Sequence, residues 1–95
     1  MPYIKKEQRE KLDGRIDSIA EMLNENMSDG EYNYVITKLI HNYIKNAGLR
    51  YSTLNSAVGI LECAKAEFIR TVVSPYEDQK IIDNGFISEL DGKKE

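Results

Sequence analysis

Apolar residues recur at three- and four-residue steps through most of this chain, and nowhere do apolar and polar positions alternate for the length of a strand. The pattern therefore predicts an all-α protein. Leu12, Ile16, Ile19, Ala20, Leu23 and Met27 form one stripe. Asp13, a good N-cap residue, is expected to open this helix after a short helix or turn over Lys5–Leu12. Ser28 and Glu31 fit a capping box, and Tyr32, Ile36, Leu39, Ile40, Tyr43 and Ala47 share the face of the helix that follows. Gly48 suits the C′ position, where positive φ is cheap for glycine. Ser52 or Thr53 is expected to cap the third helix. Ser74, Pro75 and Glu77 repeat the start signal, and Asn84-Gly85 closes the fourth helix. Because proline disfavours the α region for the residue before it, helices three and four should meet at a bend at Ser74–Pro75. The expected helices are 13–26, 30–47, 53–73 and 75–84. They assemble into a compact four-helix-bundle-like domain over residues 1–85, followed by a polar tail over 86–95. Such a tail frays unless something, such as a neighbouring chain, holds it.

The third helix carries apolar residues around most of its circumference, which makes it the expected centre of the fold. Ala57, Leu61, Ala64, Phe68 and Val72 form its main face, widened by Val58 and Ile69. Lys65 falls inside that apolar arc, with Glu62 three residues earlier and within reach. The pair reads as structural, with a packed lysine stem, or as a cation held for an anionic ligand. The opposite side carries Asn55, Ser56, Gly59, Cys63 and Ala66, small residues that let another backbone approach. Gly59 costs about 1 kcal/mol relative to alanine in mid-helix. This side serves close intrachain packing or a subunit interface. Cys63, the one cysteine, is expected to be a small buried hydrophobe.

Arg70, Tyr76 and Lys80 flank the expected bend, where a helix N-terminus offers free amides to an anion, although Glu77 and Asp78 compete for them. Lys65, Arg70, Tyr76 and Lys80 are thus the candidate ligand-binding residues; the alternative is a capped helix with a solvated charged face. Of six tyrosines, Tyr32 and Tyr43 suit the core, and Tyr34 and Tyr51 the surface.

Composition narrows the partners. A single domain of 95 residues has a small core that self-association would reinforce, so a homodimer or larger is expected. Net charge is −3 and pI about 5.2, which argues against nucleic acid as the main partner. No apolar run is long enough for a membrane span, and the opening MPYIKKEQREK has no apolar signal-peptide region, so a cytoplasmic location is expected. His41 is the only histidine and falls on the polar face of helix two; no metal or other cofactor is expected, and no glycine-rich phosphate loop is present. A Mg²⁺-dependent nucleotide pyrophosphohydrolase needs clustered helical carboxylates. Glu7, Glu10 and Asp13 match that superficially, while Glu62 and Glu67 point in different directions.

At GEYNYVITKLI (30–40) and at GILECAKAEFIRTVVSPYEDQKIIDNG (59–85) the chain resembles a small family of helical proteins encoded in bacteria and bacteriophages. The opening MPYIKKEQREKLD is similar too, so the resemblance covers most of residues 1–85. That family is a domain of unknown function, and the resemblance implies no reaction and no site. Its phage members suggest, by analogy, a compact protein that sequesters a host small molecule such as a nucleotide signal. The expected function is non-enzymatic binding by a self-associating helical protein, holding a small anionic, nucleotide-like ligand. Two alternatives stand beside it: a protein–protein interaction module without ligand, and the Mg²⁺-dependent hydrolase.

Overall fold

A computed structural model describes residues 3–26 and 28–92, with only the backbone of Asn26. Met27, assigned above to the first apolar stripe, lies outside the described residues, as do 1–2 and tail positions 93–95. The described chain is all-α: α1 (Lys6–Asn26), α2 (Asp29–Ala47), α3 (Tyr51–Phe68), a π-helical segment (Ile69–Val73), α4 (Ser74–Asn84) and a one-turn α5 (Glu89–Gly92). Among the described residues there is no strand.

The first helix is longer than expected. It runs unbroken through Asp13 and Gly14, so Asp13 is not a cap. The start lies at Lys5, whose carbonyl accepts from the amides of Gln8 and Arg9. Lys5 N–H in turn donates to Gln8 Oε1 at 3.0 Å, which satisfies an end amide. Leu12 belongs to the same stripe as Ile16 and Ile19, so one helix serves the whole stripe. The penalty at Gly14 is about 1 kcal/mol.

Local end chemistry acts as the sequence indicates around α2. Ser28 is extended (φ −104°, ψ 130°), and its hydroxyl accepts from Glu31 N–H at 3.4 Å. Gly48 closes the helix at φ +108°, its amide donating to Ile44 C=O at 2.8 Å. Arg50 folds back to donate to Ala47 C=O at 2.7 Å. This sets the entry to α3 at Tyr51, with Arg50 at the cap position, rather than at Ser52 or Thr53. Thr53 is buried instead. A Cβ on Gly48 would lie 2.8 Å from the Arg50 guanidinium, on top of the positive-φ strain. Gly48→Ala should therefore lower stability by about 1–3 kcal/mol, read as the urea midpoint at fixed protein concentration.

The break between helices three and four also differs in form. Ser74 is helical (φ −62°, ψ −46°), not extended, and its amide reaches back five residues to Ile69 C=O. The chain absorbs Pro75 by widening one turn into π-helix. In a regular helix the proline ring collides with the carbonyl four residues back, and a widened turn directly before Pro75 is the local form that the chain takes there. Thr71 assists by donating its hydroxyl to Glu67 C=O at 2.8 Å, a contact that bends helices. Val73 occupies the cap position of α4 with no side-chain bond. Gly85 (φ +93°) ends α4 as expected. Beyond it the tail holds itself: Asp91 accepts from the amides of Ile87 and Ser88, and Gly92 packs so closely on Phe86 that a Cβ would lie 3.3 Å from the ring.

The four-helix arrangement is more extended than a compact bundle. Each helix packs on the next in sequence: α1 on α2, α2 on α3, and α3 through the π segment to α4. The Cα radius of gyration is 18.1 Å, and the molecule measures 50 × 36 × 30 Å. A compact chain of this length has a radius near 12 Å. Among the described residues only Thr53 and Ala57 are buried, each 5% exposed, where α3 begins against α2. The remainder of the face assigned to the core, including Leu61, Phe68 and Val72, stands in solvent, and so do Tyr32 and Cys63. The physical reason is topological: α1 and α4 do not turn back onto α3, so a face pointing away from the adjacent helix has nothing to pack on.

Candidate functional site

Four constellations emerge, three charged and one apolar. The first joins the segment ahead of α1 to the junction of α3 and the π segment. Arg70 Nη2 lies 2.5 Å from Glu67 Oε2, Tyr3 donates its hydroxyl to the same carboxylate, and Arg70 also donates to Tyr3 Oη at 3.4 Å. Just beyond, Arg9 Nε donates to Ile4 C=O at 3.1 Å, pinning the segment ahead of α1. The hydrogen bond to the Glu67 carboxylate raises the Tyr3 pKa. The bonds from Tyr3 and then Arg70 lower that of Glu67, and the Glu67 carboxylate raises that of Arg70. Arg70 is thus occupied by an internal carboxylate at the point where an anionic ligand was expected.

This clasp has a definite pH window. The depressed Glu67 contributes stability above its ordinary value of 4.5 and loses it as pH falls through the lower folded value. The raised Tyr3 contributes below its ordinary value of 10.0 and loses it as pH rises through the higher folded value. Tyr3→Phe should therefore abolish the clasp's alkaline loss of stability and keep part of the acid one, where Arg70 still meets Glu67. Urea midpoints compared with wild type from pH 3 to 11 check this; an unchanged alkaline limb would place Tyr3 away from Glu67.

The second constellation is the pair Tyr76–Lys80 on α4, with Lys80 Nζ 5.4 Å from the ring centroid. Among the described residues Arg70 bonds to Tyr3 and Glu67 rather than to this pair, and no hydrogen bond or ion pair joins Lys65 to either. The expected Glu62–Lys65 pair does not form either: both are exposed, and among the described residues the ion pair of this region is Arg70–Glu67. Glu62→Ala should consequently change stability by less than about 0.5 kcal/mol. Asn55, Ser56, Gly59, Cys63 and Ala66 are exposed, and a Cβ added at Gly59 would meet nothing within 4 Å.

A basic face of α2 was missed by the sequence reading. Tyr34, Lys38, His41, Asn42 and Lys45 line a shallow groove of about 320 Å³, with Lys38 Nζ 5.7 Å from the Tyr34 ring centroid. Its signal was present as the four-residue spacing Tyr34–Lys38–Asn42, overlooked because each residue alone suits a solvated face.

The fourth constellation is apolar. Ile16, Ile19, Ala20 and Leu23 of α1 and Tyr32, Val35 and Leu39 of α2 line a groove of about 180 Å³ with apolar walls. Across the chain α3 and the π segment expose Leu61, Phe68, Ile69 and Val72.

Among the described residues no group of three or more His, Cys, Asp or Glu is placed to hold a metal, and Glu7, Glu10 and Asp13 gather no such cluster. No helix there is long and apolar enough to cross a membrane. Neither a curated protein nor a solved structure matches the chain. The family model of a domain of unknown function, DUF6899, matches residues 1–87, and the chain belongs to that family.

Proposed function

We propose that this chain is a non-enzymatic, self-associating helical protein of the cytoplasm, a homodimer or larger, that acts as an interaction module. One observation carries the reading: the single chain exposes 8613 Å². A folded monomer of 10.9 kDa exposes about 5,600 Å². Large apolar side chains stand exposed on all four long helices, among them Ile16, Ile36, Leu61 and Ile82. Exposed apolar faces of this kind on a soluble chain mark association surfaces. Light scattering at tens of micromolar tests it: the expected mass is at least twice 10.9 kDa, and a mass equal to the chain overturns it.

A small anionic, nucleotide-like ligand is the second reading, supported by the Lys80 ammonium over the Tyr76 ring, an aromatic and a cation side by side on α4. A nucleotide at 100 times its dissociation constant would add about 2.7 kcal/mol of stability. Lys80→Ala should abolish that shift. The absence of a shift from mono-, di- and cyclic nucleotides leaves the ligand-free module.

A further inference from the structure

We propose that the basic groove of α2, with the apolar groove that continues from it at the α2–α3 turn, binds a small organic diphosphate with an apolar body. The site requires neither self-association nor the Tyr76–Lys80 pair. Its first support is a gap in the acids. The chain is acidic overall, yet residues 32–61 hold no Asp or Glu and include Lys38, His41, Lys45 and Arg50. Lys38, His41 and Lys45 fall on one face of α2 at steps of three and four residues. The two ammonium groups therefore start about 10 Å apart along the helix axis, with the His41 imidazole and the Asn42 amide between them in the same groove. Nothing neutralises the row. The groove has no carboxylate in its wall, and among the described residues none pairs with Lys38, His41 or Lys45. Lys38 instead donates to the Tyr34 hydroxyl at 3.4 Å. Two cations in series with neutral donors between them suit adjoining phosphates better than a single carboxylate.

The second support is the continuation. His41 and Lys45 also edge a groove of about 320 Å³ whose other walls are Ile44, Leu49 and Leu54. The charged row thus runs directly into an aliphatic surface, the combination of apolar wall and few placed polar groups that holds small molecules. The turn presents this end in a set form. Gly48 N–H donates to Ile44 C=O at 2.8 Å, Arg50 N–H to Gly48 C=O at 3.1 Å, and the Arg50 guanidinium to Ala47 C=O. Leu49 is held between them, 80% exposed. A surface fixed before the ligand arrives loses little freedom on binding. The α2 residues that line the groove shared with α1, Tyr32, Val35 and Leu39, take no part in either of these grooves.

Amide chemical-shift titration of the full isotope-labelled chain, with inorganic pyrophosphate and with geranyl diphosphate, tests the site. Both should shift amides of α2 around Lys38–Lys45. Geranyl diphosphate should bind about tenfold more tightly, which burial of roughly two methylene groups would supply. Lys38→Gln with Lys45→Gln should weaken both ligands at least tenfold. Lys65→Gln with Lys80→Gln removes the same charge elsewhere and should leave both within twofold. Leu49→Asn should reduce geranyl diphosphate to the pyrophosphate level without changing pyrophosphate. All five positions are exposed, so each variant should keep its helical circular dichroism. No shift at α2, or equal weakening by the two lysine pairs, overturns the site. Equal affinity for the two ligands overturns the apolar half and with it the ligand class. Weakening confined to the Lys65 and Lys80 variant overturns this site and returns the anion to Tyr76–Lys80. The mass from light scattering decides self-association separately.

Discussion

Tenfold dilution should lower the melting temperature of this protein by roughly 3–6 °C. In a single chain Thr53 and Ala57 alone, among the described residues, are removed from water. Ordering a residue costs about 1–2 kcal/mol in backbone entropy alone, and the half-buried side chains of the helix seams, such as Leu23, Val35 and Ile44, give only part of the offset that a closed core would. With the exposed apolar area covered by another chain, as proposed, folding is linked to association. By mass action a dimer loses about 1.4 kcal/mol of stability for each tenfold dilution. For a folding unit of about 190 residues, 1 kcal/mol corresponds to about 2–4 °C. Circular dichroism melts over a hundredfold range of concentration read this directly. A midpoint independent of concentration would mean that the helices are stable alone, and the exposed faces would then need another explanation.

How much of this was legible in the sequence depends on how local the controlling interaction is. The caps at Ser28, Gly48 and Gly85 were legible because a hydroxyl or a positive φ acts on amides within three or four residues. The junction before Pro75 was legible in place but not in form. The statement that proline expels its predecessor from the α region is a tendency, and one i→i−5 turn from Ile69 to Ser74 evades it. The start of α1 was misplaced because Asp13 has the residue type of a cap, whereas the end amide is satisfied by Gln8 from Lys5. The apolar stripes were identified correctly, but periodicity states which face is apolar and not which surface covers it. Leu61, Phe68 and Val72 were therefore assigned to a core that the isolated chain does not build. The Glu67–Arg70–Tyr3 clasp was illegible for a related reason: its two ends are separated by more than sixty positions, and no sequence period links them.

Ala57→Asp should destabilise the protein by about 3–5 kcal/mol at neutral pH, the largest effect expected of a single substitution. Ala57 is 5% exposed at the seam where α3 meets α2, one helical turn after the equally buried Thr53. Two small side chains four residues apart allow the helix axes to approach. A carboxylate there loses water, and among the described residues no Lys, Arg or His is buried at the seam to pair with it. Burial disfavours the charged form and so raises the pKa of the new side chain. The penalty should therefore shrink as pH falls below that raised value, opposite in direction to the acid loss from the Glu67 clasp. Ala57→Leu separates charge from volume: overpacking alone costs about 1–3 kcal/mol and is independent of pH. Ala66→Asp provides the matching control on the exposed side of α3, with an expected change within about 0.5 kcal/mol. If it instead dissociates the oligomer, the face of Asn55, Ser56, Gly59, Cys63 and Ala66 is the interface. Urea denaturation at one protein concentration, paired with light scattering, distinguishes these outcomes, since a change at the seam acts within a chain and a change at an interface acts between chains.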